Sequence, residues 1–548
     1  MTSSAPPRRT LASAAAEFDL DRLAWPGLAF AALVSALLTY HLTRGTSFLV
    51  DDWQWIDYRR GNDLHTFLAP YNGHLSLVPI AVYRVMFAAF GIGDFGWYRG
   101  LLIVVALLTG LIVFLYTRER VGSFCGLLLA TLLLFLGPGW NDILQPFQIA
   151  WLIAVGGGVL AFRLLDVRRT TCDAAACLSI SVALASTSVG VALAVGLAVD
   201  LLLSRRPRDL WIAGGPLALY VVWAIHYHPS TITASAVFAA PIDLLTVISG
   251  ALADLLGLSD VAAFDPVGLS LTFGVSLLLL AVGAVVLGAR AARTWARPLS
   301  LGVALLVFSL LTTLVRSFQS PLSSRYIYVC CVLVALIAVE LLRELKASRL
   351  MQAGLAGLTV IIIISNYGAL RSGSQYFRAV GAQTDATLAA VDLDRGAVPA
   401  STEIRLPLYP LTKVSAGQYF ADERALGTPA DSLAQLRRAS PGARQTADRQ
   451  LIADGEVHIG GRAYPPVRSS AGLTVDHSAG GMVARRDACA RLFPSALVSG
   501  PAGEIAVTLP SAPVTVSTQD ASATLSVRRF GAAFTPIATV TSGESTVV

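Results

Sequence analysis

Long stretches without a single charged residue recur along this chain. Gly100–Thr117, Ile143–Phe162, Ala174–Val199, Val267–Ala289, Pro298–Val315 and Leu350–Leu370 are all of this kind. A helix of roughly 20 apolar residues crosses a hydrocarbon core of about 30 Å, so the runs have the length of membrane spans. Composition agrees. Charged residues make up 14% of the 548, against roughly 25% in a soluble domain, and the mean hydropathy is +0.64. A soluble enzyme is excluded, and the chain reads as a polytopic α-helical membrane protein. Its net charge of +6 does not point to nucleic acid, because membrane proteins distribute basic residues by leaflet. The six cysteines form no disulfide framework and no zinc spacing. Leu23–Thr43 is long enough to span and reads as a retained signal anchor.

The arginines order the topology. With the N-terminus inside, Arg8, Arg9 and Arg22 share a side with five later clusters. These are Arg118/Arg120, Arg163/Arg168/Arg169, Arg205/Arg206/Arg208, Arg290/Arg293/Arg297 and Arg343/Lys346/Arg349, which makes 17 inner basic residues. The outer side holds seven, namely Arg44, Arg59, Arg60, Arg84, Arg99, Arg316 and Arg325, five of them between the first two spans. That bias sets the orientation. Basic clusters at both ends of Cys172–Ser204 require a hairpin near Ser186-Thr187-Ser188. Ser235–Leu258 is expected to be an outer interfacial or re-entrant segment. The count is 11 crossings in the plasma membrane, with the N-terminus cytoplasmic and the C-terminus extracytoplasmic.

Three regions follow. Residues 1–22 form a cytoplasmic tail, disordered over Met1–Ala16. Residues 23–370 form the transmembrane domain, with a large outer loop at 44–98. Residues 371–548 form an extracytoplasmic domain. Gln375–Asp392 reads as an amphipathic helix. Past it, alternating segments such as Glu456–Ile459, Gly503–Thr508, Val514–Val516 and Ala523–Val527 predict a β-rich fold.

Candidate chemistry concentrates in the outer loops. Asp51-Asp52 follow the first helix directly, beside Trp53 and Trp55, at a depth where a carboxylate is costly unless paired, hydrated or used. The plain alternative is two solvated aspartates above an aromatic belt. Asp57, Asn72, His74 and Arg84 share the loop, and Leu75–Phe90 is amphipathic enough to lie on the membrane surface. Trp140, Asn141, Gln145 and Gln148 stand at a helix mouth. Polar groups among aromatics there suit sugar stacking as well as they suit an anchored turn. His74 can donate to a phosphate or a sugar, although a lone loop histidine is more often a structural hydrogen bonder. His226 and His228 lack a third metal ligand. Gly156-Gly157-Gly158 is a close-packing feature rather than a phosphate loop.

In layout, residues 20–370 resemble the GT-C superfamily of integral membrane glycosyltransferases, which includes protein O-mannosyltransferases and mycobacterial arabinosyltransferases. The resemblance rests on five features. They are Asp51-Asp52 opening the first outer loop, Asn72-Gly73-His74 before a surface helix, and Trp140-Asn141 with Gln145-Pro146-Phe147-Gln148 in the second outer loop. The others are Ser324-Arg325-Tyr326 at a late outer mouth and the outward C-terminal domain. It implies an inverting transferase that moves a sugar from a polyprenyl-phosphate donor to an envelope glycan or glycolipid.

In that scheme Asp51 or Asp52 is the base that takes the acceptor's proton, and the other orients the acceptor or an optional Mg²⁺ or Mn²⁺ ion. Arg325, whose guanidinium fork matches phosphate oxygens, holds the leaving lipid phosphate with Tyr326 and His74. Trp53, Asn72, Trp140, Asn141, Gln145 and Gln148 contact substrate. The rival readings are a lipid-linked sugar flippase or other polytopic transporter, and a non-catalytic glycan-binding assembly partner. A transporter would place polar groups near the bilayer midplane, whereas here they crowd the outer face.

Overall fold

The computed structural model describes residues 20–227, 234–258, 295–315, 322–343 and 347–459, save 394, 396–397 and 408–412, and beyond these only strand segments. The N-terminal tail before residue 20, the run Val267–Ala289, His228, Arg290, Arg293 and Arg316 lie outside the described residues. The chain divides into two compact units, the first of residues 1–42, 67–81 and 99–374, the second of 43–66, 82–98 and 375–548. Parts of the first outer loop thus group with the C-terminal region, which the three-region reading did not contain.

The first unit is a helical bundle embedded in the membrane. Among the described residues six helices are long and apolar enough to cross, including Gly96–Val121, Ser324–Leu341 and the start of Arg349–Asp392. A seventh arises if Ser123–Leu134 and Gly137–Leu144, bent by 48° at their junction, count as one span. Thr170–Leu184, Val189–Leu203 and Trp211–Tyr227 are apolar but only 15 to 17 residues long. The break between the first two of these falls at Ala185–Ser188, where a hairpin was expected. Ala234–Leu255 is a regular helix, packed beside Ala296–Val315 and Ser324–Leu341.

Close packing rests on small residues. A side chain at Gly156 would meet Thr109, one at Gly157 the carbonyl of Ser179, and one at Gly158 Leu193, so one helical turn lets three neighbouring helices approach.

Charge assembles at one end of this bundle. Arg120 binds Glu340 and, at 2.6 Å, Asp166, and Tyr116 also donates to Glu340. Arg297 binds Asp166 and Asp200, both at 2.9 Å. Arg163 pairs with Glu119 at 2.6 Å, Arg206 with Asp173 at 3.2 Å, and Arg343 lies 3.9 Å from Glu340. The Asp21 carboxylate accepts the Phe124 N–H at 2.7 Å. Members of all five later basic clusters, with the N-terminal segment, therefore share one end, as the grouping of arginines required. Helices are tied there by ion pairs, of which Arg120, Glu340 and Asp200 are buried but paired, the arrangement that makes charge tolerable at such depth.

The second unit begins with an aromatic core. Phe48 meets Phe95 at 4.7 Å and Tyr98 at 4.9 Å, and Trp55 meets Tyr83 at 5.0 Å. The helix expected at Gln375–Asp392 is the end of a single 45-residue helix, Arg349–Leu393. Helices Ala416–Leu426, Leu433–Arg438 and Pro441–Asp454 follow, in a stretch where no helix was expected. Their signal was present: Ser415 with Gln418, and Ser432 with Gln435, each form a capping box. Gly455–Ile459 and Thr535–Thr541 both pair antiparallel with Ser522–Arg529, and Leu473–His477 pairs with Val514–Thr518.

Candidate functional site

A broken helix builds the polar mouth of the first unit. Gly137-Pro138-Gly139 interrupts the run because proline offers no N–H and the glycines admit close neighbours. A side chain at Gly137 would strike the carbonyl of Asn366, and one at Gly139 the ring of Tyr328. The chain then turns through the short helix Trp140–Leu144 and a tight Pro146–Gln148 turn before Ile149–Leu164 begins. The Asn141 N–H donates to Ser324 Oγ at 2.9 Å, which fixes this kink against the first turn of Ser324–Leu341.

Most of the sequence-predicted donor residues meet here. Trp151 lies 5.6 Å from Tyr326 and 6.2 Å from His74, ring to ring, and Phe147 lies 5.5 Å from Tyr71. Tyr71 and His74 exchange backbone hydrogen bonds at 2.8 and 2.9 Å around Asn72 and Gly73, both at positive φ. That is the tight turn an Asn-Gly pair favours. The turn accounts for Asn72 without any substrate contact, and its product is the placement of His74. Trp140 packs on the backbone at Gly373. Gln148 Nε2 donates to Gln145 Oε1 at 3.5 Å.

The mouth holds buried polar atoms that hydrogen-bond to nothing among the described residues. They are Asn141 Oδ1, both carboxylate oxygens of Asp142, Gln148 Oε1 and Arg325 Nε. Asp142 is 0% exposed, and Arg325 is the positive charge acting on it, yet the two form no ion pair. Buried polar groups in folded proteins are overwhelmingly hydrogen-bonded, so such a set in an apolar bundle marks a place prepared for something else. Sequence reading passed over Asp142 while naming its neighbours on both sides. A carboxylate amid the uncharged company of Gly137–Gln148 was the available signal.

The acidic pair belongs to the second unit, and its members differ. Asp52 is 0% exposed, accepts the Leu49 N–H at 2.9 Å and the Tyr83 hydroxyl at 3.1 Å, and caps the helix Val50–Tyr58. Burial, reinforced by the neighbouring charge of Asp51, pushes its carboxyl up to about 7. Asp51 is half-buried. Trp53, expected to contact substrate, is instead fully buried, edge-on to Tyr419 at 6.0 Å, so it offers no stacking face.

Asp57, one helical turn on from Trp53, is raised to about 7 by burial and by Asp422, which Arg60 binds. Asp422 itself is raised to about 6 by burial. As a metal site the acidic pair fits poorly, since both oxygens of Asp52 already accept protein donors. Among the described residues no group of three or more His, Cys, Asp or Glu side chains could hold an ion.

No family model matches the chain, and no curated protein sequence matches it.

Proposed function

We propose that this protein is an inverting glycosyltransferase that moves a sugar from a polyprenyl-monophosphate donor to an envelope glycan or glycolipid outside the plasma membrane. One observation carries the reading: an apolar bundle keeps Arg325 Nε and four acceptor oxygens without partners at one mouth, beside Trp151, Tyr326 and His74. An anionic phosphate supplies the acceptor that Arg325 lacks, and sugar hydroxyls supply the donors that the oxygens lack.

The mouth and the ion-paired end occupy opposite ends of Ser324–Leu341. Arg325 and Glu340 stand about 22 Å apart along that helix, by its rise per residue. A group near one helix end suits transfer at a membrane face better than carriage through the midplane.

In the reaction, the acceptor hydroxyl attacks C1 as Asp51 takes its proton. The C1–O bond to phosphate breaks, and its electron pair stays on the phosphate oxygen that Arg325 stabilises. Asp51 is assigned the base because the oxygens of Asp52 are occupied and sealed from solvent. The pairing of Asp51 with Arg325 rests on the GT-C resemblance. The C-terminal region, β-rich beyond residue 455 in this reading, orients the acceptor.

The test is release of labelled sugar from polyprenyl-phosphate donors onto acceptor in membranes containing the protein. Arg325→Lys keeps the charge but loses the fork, and should lower transfer tenfold or more with unchanged thermal stability. Movement of intact donor across the bilayer without sugar release would overturn the enzyme and favour a flippase.

A further inference from the structure

We propose that Asp142 is the hydroxyl-binding group of the donor subsite, receiving the sugar while Arg325 receives the phosphate. The inference rests on the glycosyl-transfer reading and names which part of the donor this mouth recognises. Asp142 is wholly buried, and neither of its oxygens accepts a hydrogen bond from any described residue. A structural carboxylate at this depth would be ion-paired and hydrogen-bonded, as Glu340 and Asp200 are at the other end of the same bundle. Asp142 instead has no hydrogen-bonding or ionic partner among the described residues, although its neighbour Asn141 is tied to Ser324, the residue before Arg325. The placement is rigid. The N–H of Asn141 is held by Ser324 Oγ, the residue before Arg325, and Gly139 lies against Tyr328, one turn further along that helix.

The chemistry of the orphaned atoms selects the ligand. Carboxyl and amide oxygens accept hydrogen bonds, and Asn141 Oδ1 stands next to Asp142 in the chain. They call for a molecule rich in O–H donors. Arg325 Nε calls for an anionic acceptor close by. A sugar joined to phosphate offers both within one ligand. A divalent cation is the less suitable occupant, because the Arg325 guanidinium acting on Asp142 repels a further positive charge. In this role Asp142 is a specificity residue and takes no proton from the acceptor.

Binding separates the possibilities without relying on turnover. The full-length protein in nanodiscs is titrated with bare polyprenyl monophosphate and with mannosyl, glucosyl and arabinofuranosyl polyprenyl phosphates, following the fluorescence of Trp140 and Trp151. At least one sugar-bearing probe should bind the wild type more tightly than the bare phosphate. Hydrogen bonds to a buried carboxyl set that gain at about tenfold. Asp142→Ala should erase the gain and leave the bare phosphate's affinity unchanged, and Asp142→Asn, which retains one acceptor oxygen and the shape, should erase only part of it. Arg325→Lys should weaken every probe.

Equal weakening of bare and sugar-bearing probes by both Asp142 variants would overturn the proposal, since Asp142 would then merely position Arg325. Loss of the gain on adding EDTA would overturn it in favour of a cation site. If the wild type binds bare and sugar-bearing probes with equal affinity, the subsite falls while the phosphate assignment stands. If it binds none, the glycosyl-donor reading itself falls.

Discussion

Replacing Asp52 separates support from chemistry in the acidic pair. In the folded chain its carboxylate accepts the Leu49 N–H at 2.9 Å and the Tyr83 hydroxyl at 3.1 Å, with no solvent contact. Asp52→Ala leaves both buried donors without a partner, at about 1–3 kcal/mol each, and so costs about 2–6 kcal/mol locally. Asp52→Asn removes the charge and keeps one acceptor oxygen for the Leu49 N–H, while the Tyr83 hydroxyl turns to accept from the new amide nitrogen. The sign of the pH effect follows from the carboxyl's rise from 3.8 to about 7 on burial. The native state holds this proton more tightly than the unfolded state does. Its stabilisation is therefore complete below about pH 4 and is lost as pH rises through 7, a change on the order of 4 kcal/mol at most. Asp57 and Asp422, raised to about 7 and about 6, add slopes of the same sign.

The assay is hydrogen exchange of the Val50–Tyr58 amides between pH 5.5 and 8, corrected for intrinsic rates. Wild-type protection should decline across that range, and Asp52→Asn should be more protected at pH 8 and flatter. Sugar transfer by Asp52→Asn should stay within about tenfold of wild type, while Asp51→Asn, deprived of its base, loses about 10²–10⁴-fold. An unchanged pH slope in Asp52→Asn would refute the burial argument. A transfer defect in a well-protected Asp52→Asn as deep as that of Asp51→Asn would move the base to Asp52.

Two further outcomes are expected. Glu340→Gln leaves the buried Arg120 without a full counter-charge and should destabilise the bundle by about 3–5 kcal/mol, read as a large drop in detergent melting temperature; a melting temperature within two or three degrees of wild type, by contrast, would show the ion network to be dispensable. A variant retaining Cys489 as its single cysteine should react with an impermeant maleimide from outside intact cells, and labelling only after permeabilisation would invert the assigned orientation.

Much of the membrane domain was legible because hydropathy and charge are local and cumulative. Eighteen or more consecutive uncharged residues have few alternatives to a span, and the arginine clusters sorted to one side wherever the structure describes them. Gly156-Gly157-Gly158 read correctly as a packing surface for the same reason, since the lack of a side chain is itself the property used. The capping boxes at Ser415 and Ser432 and the Asn72-Gly73 turn were equally local signals, overlooked or given another role.

The rest depends on which distant segments meet. Asp51 and Asp52 are identical in chemistry and adjacent in sequence, and only burial beneath Tyr83 and the hydrogen bond to Leu49 tell them apart. Trp53 was expected to contact substrate, yet it is buried edge-on to Tyr419, far along the chain. Asp142 became informative only when Arg325 was found acting on it with no hydrogen-bonding partner for either oxygen. Whether a charge is solvated, paired or left waiting is a property of its surroundings, and those are assembled by folding from residues that no local pattern connects.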